Sequence, residues 1–490
     1  MNTLKKIILG IFTTTAITAV AQTEVDALRY SMLNYKGSAR YTAMGGAFGA
    51  LGADLSSITI NPAGLGVMNK SEFNFTPTLI LGNTNSTYNN STGSDSRLGF
   101  NFSSLGLAIA RMKNPAISGN WVNTNFAIGF NKINNFHNRA AIIGESNGST
   151  YLDAMRKNAN GTNPMGLNSF AEGLAFETYL LDTVSGTTDT YYTPIPSESN
   201  LDQSKLISTR GSMGEFYIAV GANYANRLYL GGSINIVSVR YEEEFNYQES
   251  DTKDSIAGFK GYVYSGELST RGTGFNAKFG AIYRPADWVR IGASIQTPTY
   301  IGLKDNYNNE MAASYDNGVV LRAQSPQGEF DYRLTTPFRV NTSLAFVVLK
   351  NALLSVDHEF VDYSMAKLNS MDLATVTGGY SFRSANTNIQ QMYTTANNFR
   401  VGAEVRLDPI TLRAGYGLLG NPYKSSVANN GMRTNYAFGV GYRQDSYYLD
   451  FAYSVTQQKD TYYMYTGTTV NPAKNKMSAS VFMATLGFKF

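Results

Sequence analysis

The sequence of 490 residues contains no cysteine and only two histidines, His137 and His358. Disulfides, thiolate nucleophiles and Cys/His zinc sites are thereby excluded, and axial ligands for a haem are scarce. No metal or other cofactor is expected. Charge is sparse as well: 16% of residues are charged and the formal net charge is +4, which gives no argument for a nucleic-acid partner. Long apolar runs are also missing. Beyond the N-terminus no segment approaches the ~18 uninterrupted apolar residues of a membrane helix.

What is plentiful is strand-forming material, with 33 Tyr and 27 Phe alongside 46 Gly. The mean hydropathy of −0.21 is the balance expected where apolar and polar residues alternate. The N-terminus has its own pattern. Lys5 and Lys6 precede the apolar run IILGIFTTTAITAV, which ends in Ala19-Val20-Ala21, so residues 1–21 read as a secretory signal peptide and the mature chain starts at Gln22.

Alternation dominates the rest. Tyr436, Phe438, Val440 and Tyr442 make one face of a strand and Ala437, Gly439, Gly441 and Arg443 the other; Phe399, Val401, Val405 and Leu407 stand opposite Arg400, Gly402, Glu404 and Arg406. One face suits lipid and the other water. About fourteen such strands are read over residues 73–490, among them 73–82, 97–111, 121–133, 212–224, 288–303 and 330–348. Tight links at Asn226-Arg227, Pro285-Ala286-Asp287, Lys350-Asn351-Ala352, Asp408-Pro409 and Asp445-Ser446 alternate with long polar ones near 83–96, 134–211, 304–329, 365–396, 418–431 and 459–475. The pattern predicts an all-β fold, a transmembrane antiparallel β-barrel with short periplasmic turns and long external loops. The last strand carries Phe482, Leu486 and Phe488 on one face and ends in Phe490, resembling the terminal strand read by the outer-membrane barrel assembly machinery.

Loop 134–211 carries apolar residues near helical spacing. Leu167, Phe170, Leu174 and Leu181 suggest one helix, and Tyr151, Leu152 and Met155 a shorter one before it. Phe170, Leu174, Phe176 and Leu181 are therefore candidates to receive an apolar ligand.

Residues 22–72 lack alternation and are rich in Gly and Ala. Within RYTAMGGAFGALGADLSSITINPAGLGVMNKSEF, the run Ala43-Met44-Gly45-Gly46-Ala47, the acidic Asp54 and the motif Asn61-Pro62-Ala63-Gly64-Leu65 resemble the FadL/TodX-type family of outer-membrane transporters for long-chain fatty acids and other hydrophobic compounds. The Gly45-Gly46-x-x-Gly49 cluster lacks the strand and the Lys-Ser/Thr of a nucleotide-binding loop. The resemblance implies a fourteen-stranded barrel in a Gram-negative outer membrane. It places residues 22–72 in the lumen as a plug or hatch containing Asn61, Pro62, Ala63 and Gly64. It further implies passive uptake of a hydrophobic small molecule, no enzymatic activity, contact with lipid and lipopolysaccharide, and a lateral exit opened by an inward kink of the third strand, for which Gly129 and the Asn-rich end of that strand are candidates. A monomer is expected.

A carboxylate headgroup would need a cation, and Arg290, Arg400, Arg406, Arg413 and Arg443 fall on inner faces, where pairing with Glu404 and Asp450 competes for them. Two alternatives stand beside transport: a cargo-binding shuttle of type IX secretion, and a haem receptor. His358 lies in Asp357-His358-Glu359, but strand alternation sends it to the face opposite both carboxylates.

Overall fold

The structure, a computed structural model, describes residues 23–490 apart from 197, 349–350, 372–380 and 468–469. The signal peptide expected over 1–21 and part of the 350–352 link lie outside the described residues.

Wherever a segment alternates apolar with polar residues, one side chain row can face lipid while the next faces the interior. That rule produces fourteen strands. They are β1 (Glu72–Tyr88), β2 (Ser91–Met112), β3 (Trp121–Asn135, resumed as Asn138–Glu145), β4 (Asp202–Tyr224), β5 (Leu228–Ser250), β6 (Gly261–Ala286) and β7 (Val289–Gln296, then Tyr300–Ser314). There follow β8 (Val320–Gln324, Gly328–Thr335 and Arg339–Val348), β9 (Ala352–Asp362, then Lys367–Ser370), β10 (Thr395–Leu407), β11 (Ile410–Leu419), β12 (Arg433–Arg443), β13 (Tyr447–Tyr462) and β14 (Ala473–Lys489). Every neighbouring pair is antiparallel, and β1 closes on β14 with Phe73 opposite Phe488 and Thr87 opposite Lys474. Ser71 and Phe490 exchange backbone hydrogen bonds at 3.0 and 3.1 Å, which joins the barrel's two ends.

The outer surface carries an apolar belt that includes Phe100, Ile218, Ile234, Phe275, Phe399 and Phe438, all exposed. Their inward neighbours are buried and polar or small, as with Asn398 and Arg400 beside Phe399 and Ala437 beside Phe438. A barrel with an apolar exterior and a polar lumen is built to cross a bilayer. No edge is left unpaired at the closure, which is what lipid requires.

Four expectations change. The polar stretches 83–96 and 304–329 are not open loops. β1 and β2 stay in ladder to Tyr88 opposite Ser91 and turn at Asn89-Asn90, both at positive φ, and β7 pairs with β8 through Ser314 opposite Val320. Above the bilayer the outward row meets water instead of lipid and turns polar, so the apolar row that marks a strand disappears while the ladder continues; the inward row, with Thr84, Ser86, Tyr88, Met311 and Ala313, stays buried. The loop read over 134–211 likewise begins and ends as strand, at Asn138–Glu145 and in the first part of β4. Strands 288–303 and 330–348 are interrupted at Pro298 and Pro337, since proline cannot donate to a ladder.

The helices also differ. The short one in the β2–β3 link is α3 (Pro115–Ser118), after α1 (Glu24–Ser31) and α2 (Ala39–Ala43) in the N-terminal segment. In the long loop α4 (Tyr151–Ala159) is the longer helix and α5 (Glu172–Glu177) covers only part of the Leu167–Leu181 spacing. The polar α6 (Arg383–Met392) was not foreseen. α1, α2 and the 3-10 turns Leu55–Thr59 and Pro62–Val67 fill the lumen, where Tyr30, Tyr41, Met44, Phe48 and Leu55 are buried.

Candidate functional site

The irregular N-terminal segment seats itself by capping its own turns. Asp54 caps Leu55–Thr59 by accepting from Ser56 N at 2.8 Å, and its other oxygen accepts from Ser38 Oγ at 2.7 Å. Asn61 caps Pro62–Val67, with Ala63 N donating to Asn61 Oδ1 at 3.0 Å and Pro62 in the first position, where its missing N–H is harmless. Asn61 also looks outward. Its Nδ2 donates to Gly49 O at 2.6 Å and to Ala281 O at 3.2 Å, so one side chain joins two hatch turns and strand β6. The backbone of Pro62 lies 2.4 Å from where a Cβ on Gly231 would stand, and Gly45 N lies 2.1 Å from the corresponding point on Gly415. Only glycine lets wall and hatch backbones approach this closely.

Charge completes the seating. Glu404 on β10 accepts from Arg40 of the hatch at 2.8 and 3.1 Å and from Arg413 at 2.8 Å. Arg413 continues to Asp450 at 2.7 Å, which Arg443 reaches at 3.2 Å, and Arg406 lies 3.2 Å from Glu404. A second cluster has Glu359 between Arg339 at 2.7 Å and Arg400 at 3.2 Å. Arg339 also donates to the Ser31 carbonyl, and Asp357 accepts from Gly49 N at 2.8 Å. Arg290 donates to Leu51 O at 2.7 Å. Of the arginines singled out by sequence, Arg290 bonds the hatch directly, whereas Arg400 and Arg413 are buried in ion pairs with wall carboxylates and Arg406 and Arg443 remain partly accessible at the short-turn end.

The external end is closed by a cap. Leu152, Met155, Leu174 and Leu181 form its apolar core with Tyr247 and Tyr262, and Phe176 packs against it. The Phe170 ring lies 4.9 Å from that of Tyr307, and its carbonyl accepts from Tyr264 Oη at 2.9 Å. Buried Glu249 ties loop to wall by accepting from Tyr151 N at 3.0 Å and Gln203 Nε2 at 2.8 Å. Within the cap, burial raises the Glu172 carboxyl above its ordinary range, and Asn158 Nδ2 donates to it at 3.1 Å.

Between cap and hatch the wall itself is incomplete. β3 pairs with β2 only as far as Asn131 opposite Ser104. It then breaks at Phe136-His137 and resumes against β4 alone, from Asn138 opposite Thr209 to Glu145 opposite Asp202. The resumed segment lies inside the β1–β2 hairpin: the Ala141 carbonyl is 2.3 Å from where a Cβ on Gly93 would be. A seam without ladder bonds is left between the upper part of β2 and β4. Arg97 bridges it, donating to Ser208 Oγ at 2.6 Å and Thr209 O at 3.4 Å, and Leu98, Phe100 and Phe102 are exposed beside it on the outer face.

The hatch holds the broken strand. Asn34 N donates to Ile133 O at 2.8 Å, Lys36 N to Lys132 O at 3.0 Å, and Asn134 Nδ2 to Met32 O at 2.7 Å. Behind the seam is a lumen cavity of about 270 Å³ lined by Lys36, Lys132, Phe136, His137, Tyr241 and Arg433 among others. The ladder shifts register and then breaks at the Asn-rich end of β3. Gly129 stays in ladder between Gly106 and Tyr217. His358 faces outward, 2.8 Å from Asn397 Oδ1, away from buried Asp357 and Glu359. Arg97, Lys36, Lys132 and Arg433 escaped the sequence reading, because a cation's significance here depends on which carboxylates lie across the lumen.

No family model matches the sequence, and no curated protein matches it. Solved structures do. The chain superposes on the toluene transporter TodX of Pseudomonas putida with a TM-score of 0.53 at 14% identity, over 92% of this chain and 98% of that one. It superposes on a Pseudomonas aeruginosa FadL homologue with a TM-score of 0.53 at 13% identity, over 94% and 99% of the two chains. At these identities the likeness shows a shared fold: a barrel of this type with a helical N-terminal segment.

Proposed function

We propose that this chain is an outer-membrane channel for passive uptake of hydrophobic small molecules, long-chain fatty acids among them, with a lateral exit at the β3 break. The observation that carries the reading is the seam. A closed barrel offers an apolar solute only a polar lumen, whereas a gap in the ladder rimmed by Leu98, Phe100 and Phe102 offers a path into the bilayer. Directly beside it the outer wall has an apolar depression of about 500 Å³, lined by Leu105, Ile128, Phe130, Phe216, Ile218 and Ile234. The description of a fold relative as a toluene transporter supports the same class of cargo.

Cargo first meets the cap, where Phe170 and Phe176 are partly accessible and Leu174 and Leu181 form the supporting core. It passes to the lumen cavity and leaves through the seam when the hatch releases residues 132–134. Arg400, Arg406, Arg413 and Arg443 organise the wall carboxylates Glu359, Glu404 and Asp450, of which Glu404 receives Arg40 of the hatch. The test is native mass spectrometry with lipid extraction of the detergent-purified protein. A co-purified apolar molecule, lost when Phe170 and Phe176 are made polar, supports the channel; an empty barrel carrying a bound protein contradicts it.

A further inference from the structure

Most buried cations in the lumen have a carboxylate: Arg40, Arg339, Arg400 and Arg413 pair with Glu404, Glu359 or Asp450, and Lys278 pairs with Glu215. The cavity at the β3 break departs from this rule. Lys36 and Lys132 are 7% and 6% exposed, and Arg433 lines the same cavity. Among the described residues none of the three has a carboxylate at ion-pair distance, and no acidic residue lines the cavity. Lys36 Nζ has Ser454 Oγ at 3.4 Å, and Arg433 reaches only Met32 Sδ at 3.8 Å. Arg29 also lines the cavity, but its charge is taken up by Asp26. Asn34, Asn134, Asn138, Thr209 and Gln458 add polar groups, and Ile80, Phe136, Met477 and Val481 supply an apolar wall.

An unpaired buried cation is costly, and buried Lys36 and Lys132 with half-buried Arg433 in one space are costlier because they repel one another. Burial without a carboxylate draws the Lys36 ammonium down to about 8, which still leaves it charged at neutral pH. A monoanion would neutralise only one of the three. We propose that the cavity binds an oxyanion bearing two negative charges, of the phosphate monoester type, with Lys36, Lys132 and Arg433 as its counter-ions. The volume of about 270 Å³ holds the headgroup and the first part of a chain, and the apolar wall leads toward the seam. The inference rests on the channel reading insofar as the anion arrives on an apolar tail.

The experiment measures binding of dodecyl phosphate, dodecanol and inorganic phosphate to the full-length barrel in a zwitterionic detergent at neutral pH, by calorimetry. The parent protein is expected to bind dodecyl phosphate at least about tenfold more tightly than dodecanol, and Lys36→Met and Arg433→Met to abolish that preference while heat-modifiable gel mobility confirms a folded barrel. If inorganic phosphate binds as tightly as dodecyl phosphate and is lost in the same variants, the site is one for the free oxyanion and the assignment of the cations still holds. Equal affinity for dodecyl phosphate and dodecanol, or a preference that survives both substitutions, overturns it and leaves the channel intact. Failure of every alkyl probe to bind counts against the channel itself.

Discussion

Replacing Arg40 by Met removes the guanidinium that joins the hatch to β10. It makes two charge-assisted bonds to Glu404, at 2.8 and 3.1 Å, and a third to Ala53 O at 3.2 Å. Two bonds to a charged partner at about 1.5–3 kcal/mol each set a range of about 3–6 kcal/mol, close to the about 3–5 kcal/mol lost when a buried pair is broken. Glu404 keeps Arg413 and Arg406, so no carboxylate is stranded and the lower end applies, about 3 kcal/mol. That corresponds to roughly a hundredfold rise in the population of released hatch. Hydrogen exchange of the amides between Ala43 and Gly49, with β13 amides as the internal standard, reads this directly. Acceleration confined to the hatch is the expected result. Hatch exchange within about threefold of the parent, in a barrel that is otherwise intact, would refute the view that Arg40 is its latch.

Other perturbations test separate links. Gly415→Val places a Cβ against Gly45 N; overpacking of about 1–3 kcal/mol should leave a heat-modifiable barrel with a protease-sensitive N-terminal segment. Ile218→Arg puts a cation on the lipid face at a residue 70% exposed and should cost about 2–4 kcal/mol if it lies near the bilayer midplane, read by reversible denaturant unfolding in lipid. Burial pushes the Asp26 carboxyl up to about 6, against the opposing pull of Arg29. A pKa raised in the folded state favours the protonated form, so α1 docks more tightly as pH falls from about 6 toward the unfolded value of about 4. Exchange of α1 amides, corrected for intrinsic rate, should slow over that window and become flat in Asp26→Asn.

The barrel was legible because lipid and lumen impose opposite demands on successive residues, and Phe438 beside Ala437 or Phe399 beside Arg400 records that contrast without any knowledge of neighbours. Where the contrast ends, so did legibility. Apart from Asp95 and buried Tyr88, the hairpin over 83–96 is Asn, Ser, Thr and Gly, and its ladder leaves no alternating hydrophobic row. Asn61-Pro62-Ala63-Gly64 announced an irregular turn, and the cap and proline position were readable locally. The partner of Arg40 was not, since Glu404 is 364 residues away. The same distance hides which cations are paired. Arg413 and Arg433 both sit in polar surroundings within alternating strands, yet one lies between two carboxylates and the other has none at ion-pair distance among the described residues.

The central claim is that apolar cargo leaves through the seam between β2 and β4. With no native cysteine in the chain, Arg97→Cys with Ser208→Cys can be joined across that seam by a short cleavable bismaleimide in reconstituted vesicles. Uptake of a radiolabelled fatty acid should then fall to the protein-free rate and recover when the linker is cut. Uptake that continues unchanged with the seam crosslinked would contradict the account.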